Sequence, residues 1–514
     1  MGTAPRRRPG AISVETETSS ADNQSIDTDK VKQNSATKNV IKRKSNVAIK
    51  RHQNILKNGD ENTALYAYEQ RHKDSFDQIM PVLKQISARQ HDKDFVQQAQ
   101  KIAKAELGFT FPEEILENAW VEQLDMKKLY AWSVFETYKM FCDDFYMNDS
   151  LRHPNEEQFE SFIQSCGFHT IDISPCADGR LAHVIRYVLR LPITKVRRKS
   201  SAGALFDIED SVQKWIKTEY LRYREGKPNT ADEPTRYLKI VTYHFSSVDP
   251  QHEGCAAHGS DTLKAAYAGL ERLQAFKAAI ENGFCCGASI DLLLIGVDTD
   301  TDSLRIHIPD DDGNTNIAVY LDTFSLYQKY GKSSHLNEQY IEQQIVDLNS
   351  EVTDGMSRFI VYLVNNNLLQ IDYVKKYFAS SYADIGHAER FIGAGIGYEE
   401  IQLRNLMYFA YLQTVEEATN DLDVGIKIFT GLNLKKGLPV PIVVRFDHHS
   451  DIPGSRDRAL IRCKQIMQSL QTRYQNLFEK ENIYVLQVTR DCDRRDSIEI
   501  IDNSVVADLN GGAH

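Results

Sequence analysis

Beyond residue 150, short apolar and β-branched runs alternate with amphipathic helical segments, and this alternation restricts the fold more than any other feature. Strand-like runs occur at 168–174, 237–244 and 290–297, and 260–282 has the apolar spacing of a helix. Strands that alternate with helices predict a mostly parallel sheet with helices on both faces. In such sheets, functional residues collect at the carboxyl ends of the strands.

The C-terminal part of the chain repeats this layout. Four segments match four later ones in the same order, namely 171–173 with 426–428, 238–242 with 440–444, 260–282 with 457–479, and 290–309 with 483–502. An internal repeat of this kind predicts two α/β domains that arose by duplication. We place the first domain at 151–390 and the second at 391–514.

The region before these domains has a helical pattern. Apolar residues recur at three- and four-residue steps at Phe76, Ile79, Val82 and Leu83. Pro112, which two glutamates follow, marks a helix start, because proline suits the first turn and acidic groups suit the positive end of the helix dipole. We therefore predict an all-helical domain over 59–150, with its aromatic residues in the core.

The first 58 residues differ in composition from the rest of the chain. They carry 12 Lys and Arg against 5 Asp and Glu, and they contain no aromatic residue. Such a segment cannot bury enough surface to offset its chain entropy, so we predict a disordered basic tail. Its part from Lys38 to Lys57 holds seven basic residues and no acidic one. This part is either a solubilising extension or an electrostatic docking arm.

The overall composition excludes several classes of protein. The 514 residues carry a formal net charge of −11, whereas contacts with nucleic-acid phosphates need a basic surface. No apolar run approaches the ~20 residues that span a bilayer, and the N-terminus lacks the apolar stretch of a secretory signal. Eight cysteines in a chain of this length do not make a disulfide scaffold. These features predict a soluble, intracellular, multidomain protein.

Two cysteines and one histidine stand at the ends of predicted elements in the first α/β domain. Cys176 follows the first strand, His244 ends the second, and Cys255 precedes the long helix. These ends converge in a parallel sheet, so the three side chains can meet. They would fill three of the four tetrahedral positions of a zinc ion and leave one open, as in catalytic zinc sites. The alternative is that each cysteine is a small buried hydrophobic residue.

The segment from Cys176 to Arg180 reads CADGR, and Cys-x-Asp-x-Arg is the signature of β-class carbonic anhydrases. Together with DISPCADGR, CAAHGSD, RYREGKPNTADEPTRYLK, IDLLLIGVDTDTD and DIGHAER, it resembles the carboxysomal carbonic anhydrases, a divergent β-related family of the α-carboxysome shell. The resemblance covers about residues 60–514. It implies an α+β multidomain protein with an N-terminal all-helical domain and two duplicated β-carbonic-anhydrase-like α/β domains, the second without metal.

The resemblance also implies one zinc ion per chain with three protein ligands, which are Cys176, His244 and Cys255. In ordinary β-class enzymes the second pair of ligands has the form His-x-x-Cys, and His252 stands at that spacing before Cys255. The carboxysomal family instead uses a histidine eleven residues before the cysteine, which is His244 here. We favour His244 because it also ends a strand, and we keep His252 as the alternative.

Asp178 and Arg180 form the dyad that the resemblance implies, and the role of each follows from zinc chemistry. Zinc lowers the pKa of a bound water from 15.7 toward about 7 and so provides hydroxide. Asp178 can accept a hydrogen bond from this hydroxide and orient it toward CO2. Arg180 can keep the carboxylate off the metal through a bidentate bond. The alternative is an ordinary pair of surface residues in a turn.

Three further histidines are candidates for proton relay. His183 and His258 flank the ligand segments, and an unperturbed imidazole titrates in the useful pH range. His387, in the motif DIGHAER, lies between the two copies and is a candidate catalytic residue because it can reach the pocket. For each of the three, a purely structural histidine is the alternative.

The second copy is predicted to lack zinc. On the alignment above, residues that cannot form the ligand set and the dyad take the positions of Cys176, Asp178, Arg180 and His244. These residues are Gly431, Asn433, Lys435 and Phe446. We therefore interpret the second copy as a packing partner that completes the buried surface of the first.

The resemblance, together with these site residues, implies zinc-dependent reversible hydration of CO2 to bicarbonate inside the carboxysome, a bacterial microcompartment, where the reaction would supply CO2 to Rubisco. One alternative is a structural carboxysome component with a vestigial site. Another is an unrelated Cys2His zinc hydrolase. Pro175 precedes Cys176 as in the zinc deaminases, but no second cysteine follows at the spacing of that family.

The expected partners follow from this function. They are CO2 and bicarbonate, a second copy of the chain in a homodimer or larger homo-oligomer, and Rubisco or shell proteins bound through the basic tail. Neither nucleic acid nor a membrane is expected. A basic loop is a candidate site for an anionic effector such as a sugar phosphate, with a solvated loop as the alternative. Its residues are Lys195, Arg197, Arg198 and Lys199.

Overall fold

The computed structural model describes most of the chain after residue 60. The described residues are 61–117, 123–148, 156–192, 195–227, 229–230, 232–283, 289–332, 338–396, 398, 403–412, 419–494 and 497–506. The predicted basic tail over 1–58 lies outside them. No helix among the described residues combines the length and the apolar character that crossing a membrane requires.

The N-terminal region is helical, as predicted. Its helices are α1 (Glu61–Asp77), α2 (Ile79–Ser87), α3 (Phe95–Glu106), α4 (Glu113–Glu117) and α5 (Met126–Asn148). The apolar residues that define the helical period, such as Ile79 and Leu83, are buried. Glu113 and Glu114 occupy the first turn of α4, after Pro112. The acidic first turn stabilises this short helix through the helix dipole.

The first sheet has six strands. Their bounds are β1 Thr170–Pro175, β2 Arg197–Arg198, β3 Arg236–Phe245, β4 Ser289–Asp298, β5 Leu304–His307 and β6 Leu321–Asp322. The order is β2–β1–β3–β4–β5–β6. The strands β2, β1, β3 and β4 are parallel, β5 pairs antiparallel with β4, and β6 pairs antiparallel with β5. The three predicted strands are confirmed to within two residues at each end.

Helices enclose this sheet. They are α6 (Glu156–Ser165), α7 (Ile208–Arg224), α8 (Thr262–Gly283), α9 (Thr323–Tyr330), α10 (Glu338–Leu348) and α11 (Asp354–Tyr377). The predicted helix over 260–282 is α8. It approaches the sheet closely at Gly269, where an added Cβ would lie 3.0 Å from Val241 and 3.1 Å from Leu294. Residues of α11 belong to the same apolar core as the strands.

The second sheet has five strands with a related layout. Its elements are β7 Phe391–Ile396, β8 Met407–Tyr411, α12 Thr419–Leu432, β9 Val440–Phe446, α13 Ser455–Arg473, α14 Gln475–Glu479, β10 Ile483–Thr489 and β11 Glu499–Asn503. The order is β8–β7–β9–β10–β11, with four parallel strands and the antiparallel β11 beside β10. The strands β2–β1–β3–β4–β5 of the first sheet have the same arrangement.

One part of the predicted repeat is wrong. Residues 426–428 lie inside the helix α12, so they cannot match the strand β1. Three residues of the pattern Ile-Lys-Ile are too few to show a period, and so short a pattern does not separate a strand from a helix. The position of β1 in the second sheet belongs to β7, which pairs with β9 as β1 pairs with β3. Gly431, Asn433 and Lys435 are therefore not the counterparts of Cys176, Asp178 and Arg180.

The predicted match of 238–242 with 440–444 is one residue out of register. In the first sheet, Val241 faces the helix α8. In the second sheet, Ile442 and Val444 form a core with the helices α12 and α13. A slip of one residue along a strand moves every side chain to the opposite face. Aligning the covered faces shifts the match by one, so Phe446 is not the counterpart of His244.

The helical region shares a core with the second sheet. Residues of α5 such as Val134 cluster with Val443 of β9 and Leu486 of β10. Beside this core, the buried guanidinium of Arg445 donates to the hydroxyls of Tyr138 and Tyr146, which belong to α5. The helices thus cover a face of the second sheet that would otherwise be exposed and apolar.

Candidate active site

The three predicted zinc ligands meet at the carboxyl edge of the first sheet. Cys176 directly follows β1, and His244 is the penultimate residue of β3. Cys255 precedes the short 3-10 helix Ala256–His258, which leads into α8. One ligand atom from each of the three residues lies within 4.8 Å of the others, and all three residues are buried. Their convergence follows from the parallel pairing of β1 with β3.

The geometry of the two thiols suits zinc. Cys176 Sγ lies 4.0 Å from Cys255 Sγ. Two thiolates on a tetrahedral zinc ion, each about 2.3 Å from the metal, would lie about 3.8 Å apart. The hydrogen bond between the thiols raises the pKa of Cys176 and lowers that of Cys255. Cys255 is therefore the first of the pair to become a thiolate, and the residues present fit the metal that the sequence predicts.

The structure brings His244 to this cluster and keeps His252 away from it. The His252 side chain is 75% exposed, and its Nδ1 lies 2.9 Å from Asp249 Oδ1. His244 is fully buried, and its Nε2 lies 3.3 Å from Asp178 Oδ2. Of the two candidate histidines, only His244 is close enough to share a metal with Cys176 and Cys255.

Asp178 and Arg180 form a buried ion pair. The guanidinium donates from Nε to Asp178 Oδ1 at 3.0 Å and from Nη2 to Oδ2 at 2.7 Å. Burial opposes ionisation of Asp178, but the charge of Arg180 prevails and holds the pKa of this carboxyl well below its usual range. The pair is thus an ionised, water-poor dyad and not an exposed pair in a turn.

Backbone carbonyls from two other segments hold Arg180 in place. Its Nη1 donates to the carbonyl of Glu253 at 2.6 Å and to that of Ile385 at 3.3 Å. Its Nη2 also donates to the carbonyl of Gly254 at 3.3 Å. The guanidinium is therefore fixed on the side away from Asp178, which restricts the position of the carboxylate as well.

The C-terminal sheet supports the segment between the cysteine and the dyad. The N–H of Phe409 in β8 donates to the carbonyl of Ala177 at 3.1 Å, and the N–H of Asn405 donates to that of Gly179 at 2.8 Å. Gly179 in turn donates its N–H to Glu389 Oε1 at 3.1 Å. Residues 176–180, which we call the CADGR segment, are thus shaped by both halves of the protein.

A small, mainly apolar pocket opens beside the cluster. Its lining comes from both α/β halves of the protein and consists of Cys176, Asp178, Ala202, Gly203, Cys255, Ala256, Ala257, Tyr408, Val424 and Ile428. The last three belong to β8 and α12, which the sequence analysis did not connect with the site. The pocket places apolar side chains next to the two thiols.

His387 reaches the dyad, as the sequence suggested. Its Nε2 lies 3.9 Å from Asp178 Oδ2, and its Nδ1 lies 2.9 Å from Glu389 Oε1. Burial opposes protonation of the imidazole, but Asp178 and Glu389 together raise the pKa of His387 to about 9. The side chain is 22% exposed, so it connects the buried dyad with solvent.

Glu389 is a residue of the site that the sequence analysis missed. Its side chain is fully buried, and one oxygen accepts from both Gly179 and His387. The signal was present in DIGHAER, because side chains two residues apart on extended backbone point to the same side. A glutamate two positions after a candidate histidine was therefore a candidate partner for it.

The other two candidate histidines have structural partners. His183 is buried, with its Nε2 2.8 Å from Asp302 Oδ2. His258 lies under the pocket wall, with its Nε2 3.1 Å from the carbonyl of Gly203. The contacts of both rings thus link them to the surrounding structure and not to the dyad.

The basic loop near residue 197 is less open than its sequence suggests. Lys199 is buried and pairs with Asp210 at 2.9 Å. Arg198 donates to the carbonyl of Ala182 at 2.6 Å. Lys195 pairs with Glu160 at 2.6 Å, and Arg197 donates to the carbonyl of Lys214 at 3.1 Å. The two carboxylates neutralise the charge of the lysines, and the carbonyls occupy N–H donors of the arginines. Effector binding stays a prediction.

Comparison with known proteins identifies the family. Residues 54–146 match the N-terminal region, 158–387 the catalytic domain and 388–505 the C-terminal region of the family described as Carboxysome Shell Carbonic Anhydrase. The carboxysome shell carbonic anhydrase of Prochlorococcus marinus (strain MIT 9313) is 52% identical over 450 residues, which are 86% of this chain and 88% of the relative. That of Halothiobacillus neapolitanus is 44% identical over 424 residues, 79% of this chain and 82% of the relative. The chain therefore belongs to the carboxysome shell carbonic anhydrase family of enzymes.

Proposed function

We propose that this protein catalyses the reversible hydration of CO2 to bicarbonate in the carboxysome, with one zinc ion per chain bound by Cys176, His244 and Cys255. The observation that carries the proposal is the buried Cys2His cluster beside a carboxylate that an arginine holds by two bonds. The named relatives, at 44% to 52% identity, support the same activity and the same compartment.

Zinc at this cluster would lower the pKa of a water toward about 7 and so supply hydroxide near neutral pH. Asp178 stays ionised and accepts the hydrogen bond that orients the nucleophile toward CO2. Arg180 prevents Asp178 from turning to the thiols, because both carboxylate oxygens are already engaged. The dyad therefore keeps one coordination position free for the reaction.

The apolar part of the pocket suits the substrate. CO2 is small, neutral and without a hydrogen-bond donor, so an apolar wall binds it without the cost of desolvating charged groups. Val424 and Ile428 of α12 provide this wall next to Cys176 and Cys255. We infer that the C-terminal half contributes to substrate binding as well as to packing.

The hydration of CO2 releases one proton for each bicarbonate formed, and this proton must leave a buried site. His387 contacts Asp178 at its inner nitrogen and is partly exposed to solvent. Imidazole can accept a proton in the site and release it to buffer afterwards. We therefore propose His387 as the residue that carries this proton from the buried site to the solvent.

The carboxylates near His387 do not suggest a second metal. Asp178, His387 and Glu389 place ligand atoms within 4.8 Å of one another. The guanidinium of Arg180 lies in contact with Asp178 and would repel a cation there. A direct hydrogen bond already joins His387 to Glu389. The arrangement suits a proton better than a divalent ion, in keeping with one zinc per chain.

We infer that the second sheet arose by duplication and does not bind zinc. The shared strand arrangement of the two sheets supports the duplication. Cys176 directly follows β1, and in the sequence Gly397, which is not a ligand type, directly follows β7, the strand that takes the place of β1. Both possible metal-binding groups among the described residues include side chains of the CADGR segment. The second half serves to hold that segment and to line the pocket.

The proposed setting is the carboxysome, where the enzyme would supply CO2 to Rubisco. Its tail over 1–58 would bind Rubisco or a shell protein, and the chain would form a homodimer or a larger homo-oligomer. The catalytic zinc domain would span 151–390, between the helical domain over 59–150 and the pseudo-catalytic domain over 391–514. Anion binding near Lys195 and Arg197 belongs to the same proposal.

A direct experiment distinguishes the proposed activity from the two alternative functions. The purified full chain is analysed for zinc, and CO2 hydration is followed by stopped-flow with a pH indicator. We expect one zinc per chain and activity that Cys176→Ser abolishes together with the metal. Zinc without CO2 hydration would favour another Cys2His zinc hydrolase. Absence of both would favour a structural component with a vestigial site.

A further inference from the structure

Glu389 is a buried carboxylate that lies between the CADGR segment and His387, the candidate proton-transfer residue. It lies in the segment that leads into β7, and its side chain has no exposed surface. A single oxygen, Oε1, accepts from the N–H of Gly179 at 3.1 Å and lies 2.9 Å from His387 Nδ1. One carboxylate thus contacts both the CADGR segment and the partly exposed histidine.

This contact fixes the orientation and the tautomer of His387. A carboxylate only accepts hydrogen bonds, so the nitrogen that faces it must carry a proton. With a proton on Nδ1, the lone pair of neutral His387 lies on Nε2, which faces Asp178 Oδ2 at 3.9 Å. The ring is therefore oriented with its basic nitrogen toward the dyad. In histidines generally, the hydrogen bond of one ring nitrogen determines which of the two nitrogens carries the proton.

The charge of Glu389 also acts on the imidazole. Its second oxygen, Oε2, is buried and has no hydrogen-bond partner among the described residues. The other charged groups around the ring are Asp178, Arg180 and Glu253, whose carboxylate faces the backbone at Gly386. Two carboxylates in contact with the ring outweigh one guanidinium, so the imidazolium is stabilised once it forms.

We propose that Glu389 is a positioning residue for proton transfer, which holds His387 with Nε2 toward Asp178 and stabilises its protonated form. The proposal rests on the proposed CO2 hydration. In that reaction, CO2 and water give bicarbonate and a proton. The proton bonds to Nε2 of His387, and deprotonation of the same nitrogen to buffer restores the ring.

The test replaces the charge and keeps the shape. In the zinc-loaded full chain, Glu389→Gln retains an oxygen that accepts from Gly179 but loses the negative charge beside His387. We expect kcat for CO2 hydration in dilute buffer to fall about tenfold near pH 9, where a large fraction of the wild-type His387 rings is neutral and can accept a proton. We expect kcat/KM to stay within about threefold, because it reports the steps up to the conversion of CO2 and not the later proton release. Added imidazole should restore kcat, because a free base then takes the proton.

A double variant tests whether Glu389 acts through His387. If it does, Glu389→Gln has no further effect on kcat in a His387→Ala background, because residues that act as a unit are not additive. Glu69→Gln is the matched control, since Glu69 is equally buried and hydrogen-bonded to Tyr373, far from the site in the sequence and outside its contacts. The control should leave kcat and its response to imidazole unchanged.

The possible outcomes separate this proposal from the proposed function. An inactive, zinc-loaded wild type overturns the proposed function itself. If the wild type is active but Glu389→Gln lowers kcat and kcat/KM equally without imidazole rescue, Glu389 only supports the fold. An unchanged kcat, or additive losses in the double variant, also overturns the proposal. If Glu389→Gln does not fold, ¹⁵N NMR of histidine in the wild type above pH 9 decides, because the neutral His387 ring that forms there must carry its proton on Nδ1.

Discussion

Arg180 engages both oxygens of Asp178, with Nε 3.0 Å from Oδ1 and Nη2 2.7 Å from Oδ2. The same guanidinium donates to the carbonyls of Glu253 and Ile385, which lie in separate segments of the chain. The carboxylate of Asp178 is thus oriented by a guanidinium that backbone carbonyls hold in place. Two residues only two positions apart in sequence form a rigid unit beside the thiols.

This unit predicts a split between metal binding and activity. We expect Asp178→Ala to retain one zinc per chain and to lose CO2 hydration by about 100-fold or more, because the nucleophile loses the acceptor that orients it. Zinc analysis and stopped-flow hydration measure the two effects. Loss of zinc together with activity would instead make Asp178 part of the metal site.

Removing the other member of the pair should cost stability as well. Arg180→Ala leaves the buried carboxylate of Asp178 without its partner, and an unpaired buried charge costs about 3–5 kcal/mol. We expect both a lower free energy of unfolding and reduced activity, since Asp178 becomes free to approach the metal. Denaturant titration of the zinc-loaded protein measures the first effect. An unchanged unfolding free energy contradicts the buried pair.

A second prediction concerns the histidine ligand. His244→Ala should lower the zinc content to below about one tenth of the wild-type value. Among the described residues, no other histidine belongs to the group that Cys176 and Cys255 form. His252→Ala is the matched control, and its exposed ring should leave zinc content and activity unchanged. Zinc loss in the His252 variant and retention in the His244 variant would reverse the assignment.

A third prediction concerns the glycine of the CADGR segment. A Cβ added at Gly179 would lie 2.4 Å from Glu389 Cγ and 2.8 Å from the carbonyl oxygen of Met407, so Gly179→Ala must displace both groups or shift the CADGR segment itself. We expect at least a tenfold loss of kcat, with zinc retained. Gly431→Ala is the control, because nothing lies within 4 Å of its added Cβ and alanine favours the helix by up to about 1 kcal/mol. Equal behaviour of the two variants would show that the contact at Gly179 is unimportant.

A fourth prediction follows from the raised pKa of His387. The folded protein raises this pKa from 6.5 to about 9, so the protonated ring stabilises the fold below pH 6.5, and this contribution is lost as the pH rises to about 9. The unfolding free energy of the wild type, relative to that of His387→Gln, should therefore decrease between pH 6.5 and 9 and stay level above that range. Denaturant titrations at several pH values measure the difference. A difference that does not change with pH contradicts the raised pKa.

The sequence predicted the parts of the site that depend on local order. The strands that carry Cys176 and His244 are regular apolar runs, and their ends could be located to within a residue or two. Parallel pairing then brought the ligands together. These steps need only periodicity and the geometry of parallel sheets.

The missed parts depend on contacts between distant segments. Tyr408 and Val424 reach the site because the C-terminal half packs against the CADGR segment, and no local pattern marks such contacts. The failure at 426–428 has a different cause. There, three residues of the helix α12 resemble a strand in composition, and only the packing of the whole helix distinguishes the two.

The last prediction concerns the tail over 1–58, which lies outside the described residues. The compact unit that holds the site begins at Asn58, so a chain that starts at residue 59 keeps each residue of the proposed active site. We expect it to retain zinc and CO2 hydration but to lose salt-sensitive binding to Rubisco or shell proteins, since the binding of a basic segment weakens as salt screens its charges. A full-length variant with the seven basic residues from Lys38 to Lys57 changed to glutamine separates the charge from the length of the tail. If the truncated chain enters carboxysomes as the full chain does, the tail only improves solubility, and recruitment must be sought in the helical region after residue 60.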